Sequence, residues 1–184
     1  MTEIKRSNPK AFEILIAKLK ELEGIETRVG WFPSAKYDES GTPVAYVAAI
    51  QEHGHGPIPP RPFFRPTILA EENNWRQYAA QGARSVLKGS LTAHDVMDGL
   101  GERAQEDVKE TINQITSPKL SPITLELRAM KYKNPGLKVT GTLVGEVARK
   151  VRQPGYTLAS GTPDKPLVDS KLMITTLTHT TETK

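Results

Sequence analysis

Apolar residues recur at helical spacing near the start of the chain, where Ala11, Phe12, Leu15, Ile16, Leu19 and Leu22 lie between Asn8-Pro9 and Gly24. Proline is tolerated in the first turn and glycine stops the run, so a first helix is predicted there. From Ile25 to Phe32 the period changes to two, with Ile25, Thr27, Val29 and Trp31 set against Glu26, Arg28 and Gly30. That alternation predicts a half-buried strand. Pro33 to Gly41 reads as a loop, after which Thr42-Pro43 opens a short, mostly apolar and therefore buried second helix carrying Val44, Tyr46, Val47, Ala48, Ala49 and Ile50, broken by Gly54 and Gly56.

A third helix is expected from Pro66 or Thr67 to about Lys88, with Ile68, Leu69, Trp75, Tyr78, Ala79 and Val86 as a less regular apolar set that Gly82 and Gly89 weaken or end. Thr92 and Asp95 resemble a capping box with Asp in place of Glu, and Val96, Leu100, Ala104, Val108 and Ile112 follow at intervals of four. They predict a long amphipathic helix that Ser117-Pro118 ends. Ser121-Pro122 opens a shorter helix with Ile123, Leu125 and Leu127. From Tyr132 to Pro166 glycines and prolines accumulate, so a long flexible or inserted loop over 131–166 is expected, interrupted by a short helix from Leu143 to Val151. Leu172 to Thr181 is rich in β-branched residues and predicts a strand entered through an Asp169-Ser170 turn.

Between the second and third helices lies Pro57-Ile58-Pro59-Pro60-Arg61-Pro62-Phe63-Phe64-Arg65-Pro66. Each proline fixes its own φ and pushes its predecessor toward extended geometry, so this stretch reads as a stiff arm. Arg61, Phe63, Phe64 and Arg65 would then be displayed at little entropic cost as a contact surface for a subunit or partner.

At 184 residues the chain is expected to form a single domain. A net charge of +4 permits contact with DNA or an acidic protein face, yet no block of consecutive Lys and Arg singles out nucleic acid. The absence of cysteine removes disulfides, thiol catalysis and cysteine-ligated zinc, which suits synthesis in a reducing cytoplasm. The polar start, Met1 to Asn8, lacks the apolar core of a signal peptide, and no later apolar run approaches membrane-spanning length, so no membrane partner is expected.

Glu52, His53 and His55 have side chains suited to zinc, but His94 and His179 are distant in sequence with no paired spacing, and no metal or other cofactor is expected. No Gly-x-Ser-x-Gly elbow, Walker loop or Gly-x-Gly-x-x-Gly after a strand is present, and the carboxylate pairs Glu21-Glu23 and Glu71-Glu72 read as solvated helix faces. The chain is therefore expected not to be an enzyme. Lys131, Lys133, Lys138, Arg149, Lys150 and Arg152 form a dispersed basic set that could meet DNA or an acidic neighbour, with Tyr132 and Tyr156 as its limited aromatic interleaving.

Taken in order, Gln51-Glu52-His53-Gly54 and Ile58 to Pro66, then Leu120-Ser121-Pro122-Ile123-Thr124, then Lys165-Pro166-Leu167-Val168-Asp169-Ser170-Lys171-Leu172, resemble the motifs of the virion morphogenesis and tail-completion proteins of tailed bacteriophages. The resemblance spans roughly Val44 to Leu172; Ser170-Lys171 stands where Thr-Gly is usual, and the segment between the two later motifs is longer than in a typical member. It implies a non-catalytic virion protein, made in the host cytoplasm. Such a protein forms a homo-oligomeric ring, commonly a hexamer, at the head–tail junction beside other neck, connector and tail-tube proteins and close to the genomic DNA. It also implies an α+β fold with helices packed on a small antiparallel sheet, the class reached from the pattern itself, since the two predicted strands lie at opposite ends of the chain. A tail terminator or other neck ring protein is the nearest alternative, and a DNA-binding protein using the basic loop is the alternative of another class.

Overall fold

The computed structural model describes residues 9–38, 40–158, 161, 164–168 and 171–184. Among them the chain forms a mostly helical α+β fold, seven helices on a two-stranded antiparallel sheet. The order is α1 (Pro9–Glu23), β1 (Ile25–Gly30), α2 (Val44–His53), α3 (Phe64–Lys88), α4 (Ala93–Gln114), α5 (Pro122–Lys133), α6 (Gly141–Val151), α7 (Leu172–Thr176) and β2 (Thr178–Thr183). The Asn8 side of the first helix cap and the Asp169-Ser170 turn lie outside the described residues.

β1 and β2 pair in register from Ile25 opposite Thr183 to Gly30 opposite Thr178, so the sheet joins the two ends of the described chain. A two-stranded ribbon is marginal alone and needs a packed face. Helix α4 supplies it, lying across both strands. The approach is close because Gly101 sits at the contact: a Cβ there would stand 2.5 Å from Thr27 Oγ1 and 2.7 Å from His179 Cδ2. His179 is fastened to the same helix, with Nδ1 2.9 Å from Gln105 Oε1 and Nε2 3.2 Å from Asp98 Oδ1.

Helices α3 and α4 pack side by side. Gly82 was expected to weaken or end α3, but the helix runs through it to Lys88. Its missing side chain makes room for Val96 of α4, whose Cγ1 would lie 2.2 Å from a Cβ at that site. The capping box at the start of α4 is formed as the sequence predicts, with Thr92 and Asp95 each accepting the other's backbone N–H. The main core gathers Val44 and Ala48 of α2, Phe63, Val108 and Ile112 of α4, and Leu167, Met173 and Leu177 from the C-terminal part.

Three expectations about elements are corrected. Strand β1 ends at Gly30 rather than Phe32, because Trp31 turns into the core and donates Nε1–H to Met173 O at 2.8 Å. The predicted strand from Leu172 is a helical turn followed by a shorter strand: Met173 must reach the core, and the Thr176 hydroxyl donates to Leu172 O at 2.6 Å, a side-chain bond to the i−4 carbonyl that the helical turn brings within reach. Tertiary burial there overrides the β-branched preference of the segment. Helix α2 buries one face, Val44, Ala48 and Glu52, and leaves Ala45, Tyr46, Ala49 and His53 exposed. Glu21 is exposed, as a solvated helix face would have it, and also accepts a hydrogen bond from Ala93 N at 3.0 Å, capping α4.

Candidate functional site

Helix α2 ends where Gly54 turns the chain with φ 77°, a conformation glycine adopts freely. A side chain there would also stand 3.0 Å from Ile58 O and from the Pro60 ring. The backbone folds back through an antiparallel bridge between His55 and Ile58 and returns antiparallel to the end of α2, where Arg61 N donates to Gln51 O at 2.6 Å. The Pro-rich stretch is therefore a clasp laid on its own chain. Pro57, Ile58, Pro59 and Pro60 are its exposed bend, while Arg61 and Phe63 are turned inward, 4% and 0% exposed.

At the centre of this clasp is Glu52, the last buried residue of α2. Its Oε2 accepts from Phe63 N at 2.6 Å and Phe64 N at 3.0 Å, and its Oε1 accepts from Arg65 N at 3.2 Å. Those are N–H groups that the start of a helix leaves without intrahelical partners, so Glu52 caps α3 from another element. This explains why α3 begins at Phe64, earlier than its own residues suggest. Arg65 completes the arrangement, with Nε 3.0 Å from Glu52 Oε1 and Nη2 2.8 Å from Glu52 O. Burial by itself would raise the Glu52 carboxyl. The backbone N–H bonds of Phe63 and Phe64, the Arg65 side chain and the Arg65 N–H outweigh it and hold the group below its ordinary range.

Arg61 carries the clasp to a distant part of the chain. Its Nη1 donates to Gln51 Oε1 at 3.1 Å, Nε to Pro118 O at 2.8 Å and Nη2 to Lys119 O at 3.2 Å. A planar guanidinium holds three acceptors in one plane, which an ammonium does not. Burial first, and then the nearby Arg128 charge, pull its pKa down. Phe63 meanwhile meets Trp31 edge-on, with ring centroids 5.7 Å apart, and Phe64 meets the same indole at 5.8 Å.

The three motif segments converge here. Arg61 of the first grips Pro118 and Lys119, immediately before the second, and Ser121 of that second segment caps α5 by accepting from Thr124 N at 3.1 Å. Arg128 of α5 donates to Lys165 O at 2.8 Å and Pro166 O at 3.1 Å, in the third segment. The next residue, Leu167, is buried in the same core as Phe63. Of the four residues expected to face a partner, Arg61 and Phe63 are thus engaged inside the chain, Phe64 is half-buried, and Arg65 alone is exposed, with its guanidinium on Glu52.

The basic residues divide into two groups. Helices α5 and α6 pack together as a hairpin. Glu126 of α5 accepts from Lys150 Nζ near the end of α6 and from Tyr156 Oη at 2.7 Å, so the helices run antiparallel. Lys131, Lys133 and Lys138 lie toward the hairpin turn, and Arg149, Lys150 and Arg152 toward its base. Hydrogen bonds from Lys150 and Tyr156 hold the Glu126 carboxyl below its ordinary range, and the same bond pushes the Tyr156 phenol up to about 12. The sequence contained no signal for this buried Glu126, because nothing in the spacing of 126, 150 and 156 marks them as neighbours.

His53 and His55 are exposed at the clasp bend, while both oxygens of Glu52 accept N–H bonds. Among the described residues no group of three His, Cys, Asp or Glu side chains is close enough to hold a metal ion. No helix described is long and apolar enough to cross a membrane. No protein-family profile, no curated protein and no solved structure matches this chain.

Proposed function

We propose that this chain is a structural virion protein of a tailed bacteriophage, working without catalysis or cofactor as a ring at the head–tail junction that completes the tail or joins it to the head. The observation that carries the reading is the convergence of the signature segments. Arg61 of the first segment binds Pro118 and Lys119, immediately before the second, Arg128 four residues beyond the second binds Lys165 and Pro166 of the third, and Leu167 of the third shares a core with Phe63 of the first. In this reading the signature marks one scaffold that many neck proteins could share, with the surfaces that meet particular neighbours free to vary around it. The ring is a homo-oligomer, a hexamer in the resemblance on which it rests, assembled beside connector and tail-tube proteins in the virion and made in the host cytoplasm.

Arg65 and the rim of Phe64 are the parts of the original contact set still able to meet a neighbouring subunit. The test is electron microscopy of particles made with the protein depleted, beside wild-type particles. DNA-filled heads and tails that fail to join, or tails with abnormal ends, are the expected result; intact and infectious particles would overturn the reading.

A further inference from the structure

The sheet has two strands, so each strand has one side without a neighbouring strand. Lys184 N donates to Gly24 O at 2.7 Å across a directly opposite pair that continues the register of β1 and β2. Bonded and non-bonded pairs alternate along an antiparallel ladder, so Glu26 with Glu182, Arg28 with Thr180 and Gly30 with Thr178 are the bonded pairs. The backbone N–H and C=O groups of Ile25, Thr27 and Val29 therefore point out from one edge, and those of His179, Thr181 and Thr183 from the other. No described residue hydrogen-bonds to any of these backbone groups. Such an edge is a template for another strand, and natural sheets blunt it with proline, lysine or a bulge. Neither strand here contains one.

Thr27 and His179 meet α4 at Gly101, so the even-numbered side chains share the opposite face of the sheet. There Glu26 stands directly opposite Glu182. Arg28 pairs with Glu26, whereas Glu182 is exposed and has no ion pair among the described residues.

We propose that β2 of one copy adds antiparallel to the open edge of β1 in a second copy, with Glu182 opposite the neighbour's Arg28 and Lys184 opposite its Glu26. Charge selects the partner and the register. Outward-pointing groups must meet outward-pointing groups, so the register slips only in steps of two residues. A step one way sets Glu182 against the neighbour's Glu26, and a step the other way sets Lys184 against its Arg28, like charges in both cases. In the remaining register Thr181 exchanges backbone bonds with the neighbour's Val29 and Thr183 with its Thr27. The charges then alternate in one row: Glu182, the neighbour's Arg28 and Glu26, and Lys184. Parallel strands cannot match both charge pairs, and β1 against β1 leaves both β2 edges unpaired. One surface is offered and a different one accepted, so this is the head-to-tail contact of the proposed ring and in that respect rests on that reading.

Sedimentation of the full chain over increasing concentration reads the association, with circular dichroism as a check on folding. Concentration-dependent association is expected. Glu182→Lys should weaken it about two- to fivefold by facing the neighbour's Arg28, yet leave the fold at least as stable, because within the chain the new cation faces Glu26. A merely structural role would move stability and association together. Thr183→Pro, whose lost N–H points outward, should weaken association roughly tenfold or more. Chains carrying Glu182→Cys, oxidised together with chains carrying Arg28→Cys, should give the mixed disulfide ahead of either homodimer. A chain that stays monomeric up to about 1 mM overturns the proposal. So does association indifferent to Glu182→Lys and Thr183→Pro, and so do disulfides formed mainly between two Arg28→Cys chains. These outcomes are read on purified protein: pairing in solution beside particles indifferent to depletion would sink the neck reading alone.

Discussion

Glu52 combines three tasks in one carboxylate: it ends α2, starts α3 and holds Arg65. Removing it leaves buried N–H groups of Phe63 and Phe64 and part of the Arg65 guanidinium without acceptors. Glu52→Ala is accordingly expected to cost about 3 kcal/mol in denaturant unfolding, and Glu52→Gln, which keeps one oxygen, less. The pH dependence follows from the lowered carboxyl. The folded group ionises below its ordinary 4.5, so its contribution is complete above that value and is lost as pH falls through the lowered one. Wild-type protein should lose more stability than Glu52→Gln on acidification from about pH 5 to about pH 3, and parallel pH profiles would contradict that. At the sheet contact, Gly101→Ala puts a methyl group against Thr27 and His179, and a loss of about 1–3 kcal/mol is expected by the same measurement.

At the scale of elements, the Pro-rich stretch behaves as a tie between α2 and the segment before α5. Its stiffness comes from the prolines, but its position comes from Arg61, whose three side-chain bonds need a planar fork. Arg61→Lys is therefore expected to release Pro118 and Lys119 while leaving α2 and α3 formed. Hydrogen exchange reads this directly, with protection lost around 117–125 and kept in α4; uniform loss across the chain would indicate that the tie holds the whole core instead. Helix α1 differs in kind, since charges at helix ends fix it and Phe12, Ile14, Leu15, Ile16 and Leu19 stay exposed.

For the whole molecule, sheet and core both join the ends of the described chain to its middle, so partial unfolding of either end is coupled to α4. The same topology disperses charge. With Lys131, Lys133 and Lys138 at one end of the α5–α6 hairpin and Arg149, Lys150 and Arg152 at the other, each end offers few cations, and Lys150 already pairs with Glu126. Titration of the protein with duplex DNA at several salt concentrations is expected to give weak binding with a slope no steeper than about three phosphates. A slope near twice that would mean both groups bind together and would favour the DNA-binding alternative.

Much of the element order was legible because local rules act within a few residues. The 3.6-residue period of α1 and α4, the Thr92–Asp95 box, the Ser121-Pro122 start and the alternation of β1 are all contacts the chain makes with its own neighbours in sequence. Sequence by itself therefore determined the α+β class, with strands toward opposite ends of the chain and helices between. Tertiary structure decided what depends on residues brought together from afar. It turned Leu172–Thr176 into a helical turn because Met173 had to reach the core, kept α3 continuous through Gly82 because Val96 needed the space, and drew Arg61 and Phe63 inside. It also left the apolar side chains Phe12, Ile14, Leu15, Ile16 and Leu19 of α1 exposed. Apolar residues at helical spacing show that a surface seeks burial, whereas which side of the helix meets the fold is set by the anchors, here Lys18 and Glu21, that α3 and α4 hold in place.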